Sequence, residues 1–261
     1  MIICDTILFY GSHVMEEIAS SEAPQNASQP GTMQALTLPE HFNELRKRLL
    51  IIVIGLVVAV LVSFAFAERA IQLLAEPIGG LESLQSIEVT ENMGVFMKVS
   101  LLSGFILSLP LTLYEIIAYI VPGLKPQERK WLFISIPAFF FMFVAGVVFS
   151  YWVMLPAALP FLTQFLGVTT TPRLSNYIGF VTNLMFWIGL IFETPLVMFL
   201  LTKLHIVTPK LLLKGWRIAV IASAVLAAMI TPTVDPVNMA LLMGPMLGLY
   251  LLSVLMSVFA Q

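Results

Sequence analysis

The chain has 261 residues, of which 59% are hydrophobic and only 11% are Asp, Glu, Lys or Arg. Soluble domains carry about 25% charged residues, so this composition excludes a water-facing shell and makes lipid the solvent for most side chains. A net charge of −2 argues against nucleic-acid binding. One cysteine and three scattered histidines exclude an internal disulfide and favour neither a metal site nor another cofactor.

The N-terminal 35 residues stand apart from the hydrophobic pattern that follows. Residues 1–32 contain no Lys or Arg, whereas a signal peptide begins with a positively charged region. They are either a disordered tail or the product of an upstream start site, with Met33 as the true first residue. We expect residues 36–258 to form one domain, because their apolar segments lie too close together for a separate soluble domain.

Six apolar segments follow a short amphipathic helix that Thr37 and Glu40 can cap. The segments cover about 49–67, 93–121, 131–155, 177–202, 216–230 and 237–258. A membrane-spanning helix needs roughly 20 apolar residues, so they predict an all-α membrane protein with six transmembrane helices. The fifth segment is shorter than this length, and Pro110 interrupts the second.

The positive charges lie almost entirely on one side of these spans. Ten fall before span one or in the loops after spans two and four, and two fall in the opposite loops. The ten are Arg46, Lys47, Arg48, Lys125, Arg129, Lys130, Lys203, Lys210, Lys214 and Arg217, and the two are Arg69 and Arg173. Because cytoplasmic loops are rich in Lys and Arg, we expect both termini in the cytoplasm. The acidic residues of the opposite loops are expected to be solvated.

Glu193 lies in the middle of the fourth span, where an ionised carboxylate is energetically unfavourable. Two interpretations remain open for it. One is a neutral carboxyl that hydrogen-bonds between packed helices, and the other is a functional group in a polar groove. Glu115, near the cytoplasmic end of the second span, is either an interfacial residue whose carboxylate reaches water or part of a functional surface.

Glu44 and Glu128 lie beside basic residues on the predicted cytoplasmic side. Such residues are usually solvated, but acidic groups at this surface could also receive a cationic peptide. Arginine is the natural guest, because its guanidinium pairs bidentately with a carboxylate. Asp235 precedes Pro236 in the turn before the sixth span, where it can cap that helix.

An ordered set of short motifs resembles the TatC family, the core subunits of the twin-arginine protein translocase. The motifs are the run from His41 to Leu49, Ala75-Glu76-Pro77, Ser108-Leu109-Pro110 with Tyr114, Pro122-Gly123-Leu124 followed by Glu128-Arg129, Phe192-Glu193-Thr194-Pro195, Thr231-Pro232 with Asp235, and Pro245. Each motif alone is weak, but together and in this order they are highly specific.

The resemblance implies a curved, glove-like bundle whose last two helices are short. It also implies a non-enzymatic receptor for signal peptides with paired arginines, which exports folded proteins using the proton motive force. Glu44 and Glu128 would bind the arginines, Arg46 would support that surface, and Glu193 would contact partner helices. Further implications are TatA/TatB-type single-span partners, self-association in membrane lipid, and location in the cytoplasmic (inner) membrane of a prokaryote.

Pro77, Pro110 and Asp235 would be structural residues under the same resemblance. Glu115 departs from the family, which usually has Gln there, and this adds a carboxylate beside the presumed receptor surface. A small-solute carrier with Glu193 as its coupling site is the alternative function. An intramembrane hydrolase is a third, but the sequence offers no catalytic pair for it.

Overall fold

The computed structural model describes the backbone of residues 38–123, 126–163, 171–231 and 236–259. Side chains are described over 42–123, 129–160, 171–231 and 236–259. The predicted tail at 1–35, the Thr37 cap and Asp235 therefore lie outside the described residues. So does the side chain of Glu128, although its backbone belongs to a helix.

The described residues form helices, with no β-strand beyond one isolated bridge between Gln85 and Arg173. The α-helices are α1 (Leu38–Ser63), α2 (Ala67–Ala75), α3 (Glu91–Ile120), α4 (Pro126–Phe149), α5 (Leu155–Thr163), α6 (Leu174–Phe192), α7 (Thr194–Lys203), α8 (Pro209–Lys214), α9 (Trp216–Ile230) and α10 (Pro236–Phe259). Short 3₁₀ turns cover Glu76–Ile78, Leu81–Ser83 and Val121–Gly123, and a π-helix at Ser150–Met154 joins α4 to α5. The all-α prediction is confirmed.

Each of the six predicted spans corresponds to a helix or a helical pair. Four segments are long and apolar enough to cross a membrane, namely Glu91–Gly123, Arg129–Pro160, Leu174–Lys203 and Pro236–Phe259. The first span is part of a pair, Phe42–Ser63 and Ala67–Ile78, bent by 71°. The fifth span, α9, is short at 15 residues, as predicted. The sixth differs from the expectation of a short helix, because α10 has 24 residues.

Several prolines lie inside continuous helices, although proline lacks the N–H that a helix interior requires. The predicted interruption at Pro110 is absent, because α3 continues through it to Ile120. Prolines within membrane helices are tolerated where neighbouring groups satisfy the freed backbone carbonyl. The fourth span does break at Glu193, and Pro195 lies in the first turn of α7, where a missing N–H is harmless.

Two glycine contacts bring neighbouring helices close together. A Cβ atom on Gly104 of α3 would lie 2.7 Å from the Cα of Val60 on α1. A Cβ atom on Gly146 of α4 would lie 2.9 Å from the Cα of Gly189 on α6. Small residues of this kind permit tight helix packing in membranes, where burial against lipid gives little driving force. They set the position of α1 against α3 and of α4 against α6.

The helix α6 lies at the centre of the bundle. Its Tyr177, Ile178 and Val181 belong to one buried cluster with residues of α2, α3 and α5, and its Leu184 and Ile188 belong to a second with α9 and α10. The outer surface of α1 remains apolar and exposed, as expected for a helix that contacts lipid.

Candidate functional site

The carboxylates of Glu44 and Glu115 lie on either side of the guanidinium of Arg48. Arg48 donates from Nη2 and Nε to Oε1 of Glu44, at 2.7 and 3.0 Å. Its Nη1 donates to Oε2 of Glu115 at 3.0 Å. The side chains of Arg48 and Glu44 are each 24% exposed, and that of Glu115 is 10% exposed. Glu44, Arg48 and Glu115 therefore form a group that is largely shielded from water and has a net formal charge of −1.

Helix geometry explains how these three residues meet. Glu44 and Arg48 are four residues apart on α1, so they lie on the same face one turn apart. The close contact between Val60 and Gly104 aligns α1 antiparallel to α3, which brings Glu115 next to Arg48. The sequence predicted a role for Glu44 but assigned the supporting cation to Arg46. Arg46 is exposed and forms no ion pair with any described residue.

The signal for Arg48 was present in the sequence as the spacing from Glu44. The signal for Glu115 was its charge in an apolar segment. Their pairing depends on the relative position of two helices, which sequence spacing alone does not supply. Whether Glu128 joins this group falls outside the described side chains.

Glu193 occupies the break between α6 and α7 and is half-buried. Its Oε2 atom is buried and has no hydrogen-bond partner among the described residues. A buried polar atom without a partner is costly in a protein interior. Glu193 is therefore an unsatisfied polar group in the middle of the fourth span.

At the opposite end of the bundle, Glu91 connects the segment before α3 with the residues at the start of α6. Its side chain is fully buried and accepts hydrogen bonds from the backbone N–H groups of Ser175 and Ile87, at 2.7 and 3.0 Å. Arg173 donates to Glu91 and also pairs with Glu88 at 2.9 Å, and these hydrogen bonds raise the pKa of Arg173. The expectation that the acidic residues up to the start of α3 are all solvated was wrong for Glu91, because Arg173 and the first turn of α6 pack over it.

Among the described residues, no group of three or more His, Cys, Asp or Glu side chains could hold a metal ion. The polar groups that stand out are therefore carboxylates and cations at the two ends of the bundle, with Glu193 between them. Charged groups in these positions can form ion pairs with a peptide or a helix.

A family model described as Sec-independent protein translocase protein (TatC) matches residues 40–245. This chain belongs to the TatC family. The TatC of Deinococcus radiodurans is 38% identical over 237 residues, covering 87% of this chain and 88% of that protein. The TatC of Carboxydothermus hydrogenoformans is 35% identical over 229 residues, covering 87% and 94%.

Solved TatC structures agree with this assignment. A crystal structure described as the twin-arginine translocase receptor TatC matches with a TM-score of 0.75 and 32% identity. The match covers 85% of this chain and 99% of that one. TatC membership makes the chain a multi-pass membrane component of a protein translocase. It favours protein translocation over the small-solute carrier and the hydrolase.

Proposed function

We propose that this TatC chain is the receptor subunit that binds twin-arginine signal peptides at the end of the bundle bearing Glu44. It then acts with small single-span partners of the TatA and TatB type to export folded proteins, driven by the proton motive force. Support comes from the related crystal structure, which is described as a twin-arginine translocase receptor. The basic loops favour the cytoplasm for this end and for both termini, in the inner membrane of a prokaryote.

The observation that carries the proposal is the guanidinium held between Glu44 and Glu115. The chain's own Arg48 shows that these carboxylates are spaced to hold one arginine side chain. A signal-peptide arginine would offer the same planar group to the same acceptors. With a net charge of −1, the group attracts a further cation, which would compete with Arg48 for the two carboxylates.

Two arginines need two acidic positions, and Glu128 is the second in this proposal. Its helix begins directly after the loop that follows α3, at the same end of that helix as Glu115. Arg46 is exposed and would orient the acidic groups at longer range rather than through a direct ion pair.

Glu193 would take part in the association with the single-span partner subunits. The residue is partly exposed, although its Oε2 is buried and unpartnered. A rotation of the side chain toward the surface would let the carboxyl form a hydrogen bond with a polar residue on a partner helix. We also propose that residues 36–258 suffice for this activity, that residues 1–35 are dispensable, and that the chain self-associates in the assembled translocase.

Photocrosslinking of a twin-arginine peptide to the purified protein tests the receptor assignment. We expect crosslinking to fall strongly in a Glu44→Gln, Glu128→Gln double variant, because both acceptors lose their charge. Glu68→Gln is the matched control, since Glu68 is an exposed carboxylate at the opposite end. A twin-lysine peptide should crosslink weakly to every form. Unchanged crosslinking in the double variant would overturn the assignment.

Complementation tests the function as a whole. The chain, and a version beginning at Met33, would be expressed in a bacterium that lacks its own TatC, and export of a folded twin-arginine reporter would be measured. We expect both forms to restore export. The proposal is contradicted if the full-length chain fails to restore export with any set of partner subunits.

A further inference from the structure

A mainly apolar groove with several polar side chains lies on the surface between α1, α3 and α6, toward the end of the bundle that carries Glu91. Its volume is about 590 Å³. Its polar lining includes Lys98, Asn176 and Asn183, and its apolar lining includes Leu101, Phe105 and Phe186. The groove is remote from the Glu44 site, and the receptor proposal gives it no role.

Three polar side chains of this groove have no partner among the residues that the structure describes. No carboxylate lies within ion-pairing distance of Lys98 in the part of the chain that the structure describes. The side-chain amides of Asn176 and Asn183 likewise make no hydrogen bond to a described residue, and both residues are exposed. One unpaired cation and two unpaired amides thus face the same space.

The depth of these groups makes their lack of partners significant. Counting at 1.5 Å per residue, Asn183 lies about 8 Å and Lys98 about 14 Å from the middle of the apolar segment to which each belongs. Each segment is long and apolar enough to cross a membrane, where an unsatisfied polar side chain is disfavoured.

We propose that this groove binds an anionic phospholipid. Lys98 pairs with the headgroup phosphate, Asn176 donates to the headgroup above it, and Asn183 donates to an ester carbonyl, which lies deeper than the phosphate. The acyl chain follows Phe105 and Phe186, which lie nearer the middle of their spans than Lys98.

The order of groups along the groove favours a lipid over a protein helix. Polar groups occupy the outer part and apolar side chains the inner part, which matches the amphipathic layout of a lipid molecule. An apolar helix in the same place would leave Lys98 and both amides without partners. Gly179 keeps the site open, because a Cβ atom there would lie 3.2 Å from Nζ of Lys98.

Native mass spectrometry of the purified protein titrated with phosphatidylglycerol tests this proposal. We expect specific binding of phosphatidylglycerol in preference to phosphatidylcholine, and about a tenfold weaker affinity in Lys98→Gln, because a charge-assisted bond is lost. Lys98→Arg should retain binding. Gly179→Leu should weaken binding without any change of charge, because the new side chain fills the groove.

Arg69→Gln is the matched control, because it removes an exposed cation of α2 outside the groove. It should bind phosphatidylglycerol as the unaltered protein does. Equal affinity of Lys98→Gln and the unaltered protein would overturn the proposal, as would equal losses in Lys98→Gln and Arg69→Gln. Full displacement of the lipid by millimolar inorganic phosphate would identify a free-anion site and would also contradict it.

Discussion

The Nη1 atom of Arg48 lies 3.0 Å from Oε2 of Glu115, although 67 residues separate the two in the chain. The same guanidinium is held by Glu44 on its own helix. An arginine of the receptor therefore occupies the position that we assign to an arginine of the signal peptide. The two guanidinium groups compete for the same carboxylates, and Arg48 should set the affinity for the peptide.

Substitution of Arg48 by Gln should strengthen peptide binding by about fivefold, because a net charge of −1 becomes −2 and the acceptors become free. Glu115→Gln should weaken binding by a similar factor, since it neutralises the group. Fluorescence anisotropy with a labelled twin-arginine peptide measures both. Lys47→Gln, which removes an exposed cation one residue away, is the control. Weaker binding in Arg48→Gln would instead show that Arg48 positions the carboxylates.

Gly104→Leu should destabilise the protein by about 1–3 kcal/mol, because its side chain would overlap the backbone of Val60 and push α1 away from α3. Thermal unfolding in detergent, followed by intrinsic fluorescence, measures the effect. Gly94→Leu is a control on the same helix, since a Cβ atom on Gly94 meets nothing within 4 Å. Equal stability of the two variants would refute the close contact.

The Glu91 contacts should hold the loops at 84–91 and 171–175 together. Glu91→Gln replaces a carboxylate oxygen that accepts from Arg173 and Ile87, so the amide protons of these loops should exchange faster with solvent. Hydrogen–deuterium exchange with mass spectrometry measures this change. Glu82→Gln alters an exposed residue of the 3₁₀ turn just before residues 84–91 and should leave exchange unaffected. Identical exchange in both variants would argue against a role of the Glu91 contacts in holding these two segments together.

Glu193→Ala should reduce co-purification of a single-span partner, because the buried Oε2 that we assign to the partner is lost. Glu193→Gln should preserve more of the association, since its amide still accepts a hydrogen bond. Ser223→Ala is the control, because that hydroxyl donates to Ala219 of its own helix. Intact association and export in Glu193→Ala would favour a packing role.

The membrane helices were predictable because their signal is local. A run of about 20 apolar residues identifies a span without any knowledge of its neighbours. The same is true of Glu193, whose charge contrasts with the apolar residues around it, whereas the role predicted for Glu44 came from the resemblance to the TatC family. Contacts between distant segments were not predictable, because they depend on how helices align. The burial of Glu91 needs residues 173–175, and the pairing of Arg48 with Glu115 needs the glycine contact at Gly104.

The break at Glu193 divides one membrane crossing between two groups of helices. The first half, α6, packs mainly with α3 and α4, whereas α7 packs mainly with α10 and shares a 2.6 Å hydroxyl contact with it through Thr202 and Ser257. The Glu44 site lies on α1 and α3, so it is connected through α3 to α6, on the first side of the break. The two halves of this crossing are thus held by different neighbours.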